Sequence, residues 1–136
     1  MKNGYSDAMK YIVDTFAWVE YFRGTQKGVK AKRIIDDPKN SLITPECCIS
    51  ELKYWAIKYG EDFNSLYTVV RKISEIEPIF ISDWLEAAAI RFEKRKTIKN
   101  FGLVDSLIVA KQKTFKCKVL TGDPHFRTIL NVKMLE

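Results

Sequence analysis

The sequence contains few residues that could build a disulfide framework or a soft-metal site. It has one histidine, His125, and three cysteines, Cys47, Cys48 and Cys117. Adjacent cysteines rarely pair with each other, and no Cys/His spacing typical of zinc is present, so the pattern favours reduced thiols. A single histidine excludes a multi-histidine metal site. No serine or cysteine beside His125 has the turn context of an activated nucleophile.

Long apolar runs are also missing. No run approaches the roughly 20 residues needed to span a bilayer, and residues 1–10 lack the apolar segment of a signal peptide. We therefore expect a cytoplasmic protein with no membrane partner. Residues 1–8 are expected to form a peripheral leader, with Met9 as an alternative start, and residues 9–136 to form a single domain.

Positive charge exceeds negative charge in this chain. The 23 Lys and Arg against 17 Asp and Glu give a formal net charge of +6 and a pI of about 9.2. A basic protein of this size suggests a polyanionic partner such as a nucleic acid. A solvated helix end that suits the helix dipole is the alternative explanation for the most basic stretch. The residues expected to contact nucleic acid are Arg91, Lys94, Arg95, Lys96, Lys99 and Lys111.

Short β-rich runs alternate with amphipathic stretches along the chain. The predicted strands cover residues 11–13, 41–44, 77–81, 117–120 and 132–135, the last as an edge strand. Helical periodicity fills the segments between them. In the helix that Ser82 is expected to cap, Leu85, Ala88, Ala89 and Phe92 are expected to face inward. Strands that alternate with helices predict an α/β fold, with a parallel sheet of four to five strands and helices on both faces.

Four acidic residues occupy suggestive positions. Asp14 follows the first strand, Asp123 follows the fourth, Asp105 interrupts an apolar run, and Glu51 lies beside the apolar stripe of its helix. A carboxylate within an apolar run is costly unless something compensates it. The other three have ordinary explanations when each is taken alone. Asp14 and Asp123 can cap helices, the latter with Pro124 at the first helical position, and an exposed glutamate on a helix is common.

Together the four acids predict a metal site. The carboxyl ends of parallel strands and the helices beside them surround the crevice where open α/β sheets bind ligands. At about 4 Å separation and an effective dielectric near 20, each pair of carboxylates repels by on the order of 4 kcal/mol. A divalent cation would compensate, and oxygen ligands without histidine or thiolate favour Mg²⁺ or Mn²⁺. A hard cation held by acids in a basic protein suggests phosphodiester hydrolysis.

The segments YIVDTFAWVEYF, SELKYW, LVDSLIVAK and LTGDPHF resemble, in order and spacing, the four acidic motifs of PIN-domain ribonucleases. Among these the chain is most similar to the small VapC-type toxins of toxin–antitoxin pairs. The resemblance covers the chain from Met9 onward. It implies a three-layer α/β/α sandwich and an Mg²⁺- or Mn²⁺-dependent endoribonuclease that hydrolyses RNA.

The same resemblance implies roles for individual residues and partners. Asp14 and Asp105 would be the principal metal ligands, and Glu51 and Asp123 would complete the acidic pocket directly or through water. Thr121 would orient Asp123 or the water. The implied partners are an RNA substrate, a cognate antitoxin whose tail occupies the acidic groove, and a second copy of the chain in a homodimer.

Three alternatives stay open at this point. A PIN nuclease can serve RNA processing rather than act as a toxin. A signalling receiver domain also has a small doubly wound fold with an acidic metal pocket, but it requires paired acids after the first strand and a phosphoacceptor after the third. Here Asp14 stands alone after the first strand, and no acid follows residues 79–81 until Asp83. A non-catalytic binding module would use the four acids as caps and surface charges.

Overall fold

The computed structural model describes residues 8–136, and five strands in this range form a single sheet. The strands are β1 (Lys10–Val13), β2 (Ser41–Pro45), β3 (Glu75–Glu77), β4 (Lys118–Thr121) and β5 (Val132–Met134). All neighbouring strands are parallel, in the order β3-β2-β1-β4-β5. This order differs from the 2-1-3-4-5 order of receiver domains, so the receiver alternative is wrong. Apart from Ala8, the predicted leader lies outside the described residues.

Helices connect the strands. They are α1 (Thr15–Arg23), α2 (Gln26–Ile35), α3 (Glu46–Tyr59), α4 (Phe63–Ile73), α5 (Ile81–Lys94) and α6 (Leu103–Phe115), and a short 3-10 turn covers Pro124–Phe126. Gly24 and Gly60 end α1 and α3 with φ angles of 66° and 70°, in the left-handed region that glycine adopts without strain. Within residues 8–136, no helix has both the length and the apolar character needed to cross a membrane.

The hydrophobic core lies on both faces of the sheet, because successive strand residues point to opposite sides. Ile12 of β1 packs on the side of α5 and α6, where Ile90 and Ile108 are buried. Its neighbours Tyr11 and Val13 pack on the opposite side, in the cluster to which α1, α2, α3 and α4 contribute. The result is the three-layer α/β/α arrangement that was predicted.

The third strand was predicted at the wrong residues. It lies at Glu75–Glu77, not at residues 77–81, and it pairs with β2 at the edge of the sheet. An edge strand needs little apolar surface, so Ile76 suffices between two glutamates, and Pro78, which lacks an N–H, follows directly. Helix α5 then begins at Ile81. The Asp83 carboxylate accepts a hydrogen bond from the Phe80 N–H at 2.8 Å, so Asp83 supplies the cap that was expected from Ser82.

The inward face of α5 was also predicted wrongly. Ala87 and Ile90 are the buried residues of this helix, whereas Leu85 and Phe92 are 68% and 69% exposed. Ala88 and Ala89 are exposed as well. Periodicity shows that a helix carries an apolar stripe, but it does not show which partner covers that stripe. Here the stripe points away from the core.

Candidate metal centre

The four acids that the sequence singles out line one cleft at the carboxyl-terminal edge of the sheet. Asp14 follows β1 and Asp123 follows β4, and these two strands are neighbours. Asp105 lies in the first turn of α6, and Glu51 lies in the second turn of α3. The cleft has a volume of about 590 Å³, and all four side chains contribute to its wall. The predicted metal ligands are therefore brought together in space.

Asp14 is the most buried of the four acids, with 5% of its surface exposed. Its Oδ1 accepts a hydrogen bond from the Thr15 N–H at 2.7 Å, and its Oδ2 accepts one from the Thr121 hydroxyl at 2.8 Å. Asp14 thus caps α1, which was the structural explanation that the sequence offered, and it also faces the cleft. Burial raises the pKa of Asp14 to about 7; the Thr121 hydrogen bond opposes this rise, and the charges of Glu51 and Asp105 add to it.

Glu51 sits at the exposed mouth of the cleft and is held by a residue that the sequence reasoning missed. The Thr15 hydroxyl donates to Glu51 Oε1 at 2.7 Å, so Thr15 bonds to Asp14 through its backbone and to Glu51 through its side chain. Loss of hydration against the cleft wall raises the pKa of Glu51, and the charges of Asp105 and Asp123 raise it further. The direct adjacency of Thr15 to Asp14 was the available signal for its role.

Asp105 receives two hydrogen bonds on one oxygen. The Gly102 N–H donates to Asp105 Oδ2 at 2.9 Å, and His125 Nδ1 lies 3.0 Å from the same atom. Burial raises the pKa of Asp105, these two hydrogen bonds lower it, and the charge of Asp123 raises it. The costly carboxylate in the apolar run therefore points out of the core into the acidic cleft.

Asp123 and Thr121 connect the loop after β4 to the other acids. Asp123 Oδ1 accepts from the His125 N–H at 2.9 Å, which is the predicted capping interaction at the turn that Pro124 begins. The Asp123 N–H in turn donates to the Thr121 hydroxyl oxygen at 3.0 Å, while that hydroxyl donates to Asp14. Thr121 is fully buried and holds the loop and Asp14 together.

The possible ligand atoms fall into two groups that face the same cleft. Atoms of Asp14, Glu51 and Cys48 lie within 4.8 Å of one another, and so do atoms of Asp105, Asp123 and His125. The Cys48 thiol lies 4.0 Å from Asp14 Oδ1. Hydrogen bonding with Cys47 and burial raise the pKa of the Cys48 thiol, and sulfur is a poor ligand for the hard cations that carboxylates prefer.

This donor set fits a hard divalent cation. Each group offers two carboxylates, and carboxylate oxygens are the ligands that Mg²⁺ and Mn²⁺ prefer in proteins. The raised pKa values of Asp14, Glu51 and Asp105 show that negative charge in this cleft lacks sufficient compensation within the described chain. A bound cation would supply that compensation. Cys48 and His125 were not among the predicted site residues, although His125 stands two positions from Asp123.

One of the predicted nucleic-acid contacts is wrong. Lys111 is 2% exposed, and its Nζ lies 2.7 Å from Asp83 Oδ2 and 3.7 Å from Glu77 Oε1. Its charge is therefore used to tie α6 to the start of α5 and the end of β3, and it is not available to a nucleic acid. A buried lysine needs such partners because an unpaired buried charge is very costly.

The other five basic residues occupy the end of α5 and the loop that leads to α6. Lys96 pairs with Glu93 at 3.1 Å on the surface. Arg91 is half-buried, and its Nε has no hydrogen-bond partner within residues 8–136. This segment precedes the helix that carries Asp105, but none of the five residues lines the acidic cleft, and Lys94 lines a separate cavity with Lys116 and Cys117. Their contact with nucleic acid remains a prediction.

In EDTA the protein is expected to become less stable as the pH rises from about 4 to about 7. Asp14 has a pKa of about 7 in the folded chain and an ordinary value of 3.8. Between these values the native state keeps a proton that the unfolded state has released, so stability falls with rising pH. At 1.36 kcal/mol per pKa unit, the loss from Asp14 is on the order of 4 kcal/mol.

Thermal or urea unfolding across this pH range measures the effect, and Asp14→Asn is the matched control. The variant keeps the shape of the side chain but cannot titrate, so its stability is expected to decline less. A wild-type stability that stays level or increases over the same range would contradict the raised pKa of Asp14.

A PIN domain model matches residues 11–130, and the chain belongs to the PIN domain family. Three solved structures share its fold. VapBC2 from Rickettsia felis, bound to a DNA fragment from its promoter, is 17% identical, with a TM-score of 0.72. The match covers 94% of this chain and 100% of that one. VapC20 from Mycobacterium tuberculosis, a toxin that cleaves the sarcin–ricin loop, is 14% identical, with a TM-score of 0.75 and coverage of 93% and 99%. A toxin–antitoxin complex from Klebsiella pneumoniae is 19% identical, with a TM-score of 0.65 and coverage of 93% and 98%. No curated protein matches the chain.

Proposed function

We propose that this chain is a divalent-metal-dependent endoribonuclease and the toxin of a type II toxin–antitoxin pair. The observation that carries the proposal is the gathering of Asp14, Glu51, Asp105 and Asp123 around one cleft in a PIN fold. Burial, together with the charge of neighbouring acids, raises the pKa values of Asp14, Glu51 and Asp105. Carboxylates in such surroundings are costly to stability, and a cation that must be bound for function explains why they are together.

The acids divide the work of holding the metal. Asp14 and Asp105 are proposed as the principal ligands of Mg²⁺ or Mn²⁺, with Glu51 and Asp123 binding directly or through water. Such a cation lowers the pKa of bound water and neutralises charge on the phosphate that is cleaved. Thr121 fixes the orientation of the Asp14 carboxylate and of the loop that carries Asp123.

Basic residues are proposed to hold the RNA beside this acidic cleft. Arg91, Lys94, Arg95, Lys96 and Lys99 would contact phosphates on either side of the bond that is cut. In this arrangement the acids act at the reacting phosphate, and the basic side chains bind the other phosphates along the RNA. Binding through phosphates makes affinity fall with increasing salt.

The direct test compares RNA and DNA of one sequence as substrates, with Mg²⁺, with Mn²⁺ and with EDTA. Cleavage of the RNA alone, and only with the metals, supports the proposal. A panel of structured RNAs should include a sarcin–ricin loop, because VapC20 shares the fold. No cleavage of any RNA with either metal would count against the assignment, as would equal cleavage in EDTA.

A cognate antitoxin is proposed as the protein partner, since several structures with this fold are toxin–antitoxin complexes. The cleft suits a basic segment of such a partner, because it is acidic at its centre. Tyr54 and Trp55 also line its wall, and Tyr54 is largely exposed. Aromatic side chains beside complementary charge are typical of protein interfaces.

We propose that self-association uses the outward face of α5, where Ile81, Leu85 and Phe92 are exposed in one stripe. Such a contiguous apolar stripe marks an interaction surface. Leu85 and Phe92 lie on either side of Ala88, so a twofold axis near Ala88 would place each against the other in the second copy. The small alanine side chain would let the two helices approach closely.

Leu85→Lys is expected to convert a dimer to a monomer, because it places a charge within that apolar contact. Light scattering or sedimentation at micromolar concentration measures the mass. Val29→Lys is the control, since Val29 is an exposed apolar residue of α2 outside the stripe. A monomeric wild type, or a dimer that tolerates Leu85→Lys as well as it tolerates the control, would contradict this assignment.

A further inference from the structure

The His125 side chain connects the first turn of α6, which carries Asp105, to the turn after β4, which carries Asp123. Its Nδ1 lies 3.0 Å from Asp105 Oδ2 and 3.6 Å from Asp123 Oδ1. The ring is packed against Phe101, with centroids 6.4 Å apart, and Phe101 is fully buried. The orientation of the imidazole is therefore set by the core on one side and by the acids on the other.

The hydrogen-bond partners of Asp105 fix which group donates. Asp105 Oδ2 already accepts from the Gly102 N–H at 2.9 Å. An ionised carboxylate can only accept hydrogen bonds, so the short contact requires the hydrogen to be on His125 Nδ1. Both hydrogen bonds fall on Oδ2, and within residues 8–136 no hydrogen bond reaches Asp105 Oδ1. That oxygen remains available to a cation.

We infer that His125 is a positioning residue for the metal centre: its Nδ1–H holds Asp105 through Oδ2 and keeps Oδ1 ready to bind the cation. The inference rests on the proposed metal-dependent function. A carboxylate ligand that is free to rotate would pay an ordering cost each time the metal binds. Groups that hydrogen-bond to metal ligands usually contribute 10-fold to 100-fold to metal affinity or activity.

The test uses three substitutions at one position. His125→Asn places an amide N–H close to the position of Nδ1, whereas His125→Gln extends its amide toward the position of Nε2. His125→Ala has no polar group at either position. We expect the Mn²⁺ dissociation constant, measured by calorimetry, to rise about 10-fold to 100-fold in the alanine and glutamine variants and to return to within a few-fold of wild type in the asparagine variant. In RNA cleavage assays, the rate that the alanine and glutamine variants lose should be recovered at saturating Mn²⁺. The KM for RNA should be unchanged.

Melting in EDTA checks that each variant folds, and the Asn/Gln pair decides the question should the alanine variant fail to fold. Wild-type Mn²⁺ affinity in His125→Ala would overturn the inference while leaving the proposed nuclease intact. Recovery by glutamine but not by asparagine would also overturn it, because the contact through Nδ1 would then be irrelevant. Failure of the wild type itself to bind Mn²⁺ or to cleave RNA would instead overturn the proposed function, and this inference with it.

Discussion

Replacing Asp105 with asparagine is expected to lower RNA cleavage by on the order of 10³-fold. The amide has the size of the carboxylate but lacks the charge that attracts the cation. It can still accept the hydrogen bond that Gly102 donates at the start of α6, so the fold should survive. Asp14→Asn is expected to act in the same way, because both carboxylates are proposed as principal ligands.

Glu61→Gln is the matched control for these variants. It makes the same chemical change at an exposed acid outside the cleft, and its activity should equal that of wild type. Cleavage is measured with a fluorescent RNA at saturating Mn²⁺, beside a circular-dichroism spectrum of each variant. Full activity in both Asp105→Asn and Asp14→Asn would contradict the assignment of the site.

The second large effect is that adding metal should reverse the order of stability of wild type and Asp14→Asn. Without metal at pH 8, above the pKa of about 7 that burial gives Asp14, Asp14→Asn should melt above wild type, since the variant no longer buries a charge beside Glu51 and Asp105. With Mn²⁺ at a hundred times its dissociation constant, the wild type gains about 2.7 kcal/mol. For a chain of this size that corresponds to a rise of roughly 10 °C in the midpoint.

Melting curves of both proteins in EDTA and in Mn²⁺ test the reversal, and Glu61→Gln serves again as the control. The melting midpoint of Glu61→Gln should match that of wild type in EDTA and in Mn²⁺. If Asp14→Asn were less stable than wild type in EDTA, then the charge at Asp14 would not be a cost to the fold. If wild type showed no shift with Mn²⁺, the cleft would not bind the metal tightly.

The fold could be predicted from the sequence wherever a local signal agreed with the overall pattern. The βα units around Asp14 and Asp123 combine a β-rich run, an acid and a helix start, so their position at one edge of the sheet follows from the rule for parallel strands. The edge strand β3 could not be placed correctly. Its one apolar residue, Ile76, is a weaker signal than the run at residues 79–81, which the structure uses as the entry to α5.

The site was only partly predictable, because two kinds of contact leave no local trace. The pairing of Lys111 with Asp83 and Glu77 joins residues that are 28 and 34 positions apart, so a buried ion pair looked like a surface charge. The contact between His125 and Asp105 spans 20 positions. Sequence position placed His125 near Asp123 but gave no indication that its ring would reach Asp105.

The most direct test is diffraction from crystals of the protein soaked in Mn²⁺, with data recorded at the manganese absorption edge. Anomalous density locates the ion without assumptions about its ligands. We predict a peak in the cleft within binding distance of the Asp14 and Asp105 carboxylates, and its loss in crystals of Asp105→Asn. A strong peak elsewhere with none in the cleft, or an unchanged peak in the variant, would contradict the central claim that these acids form the metal centre.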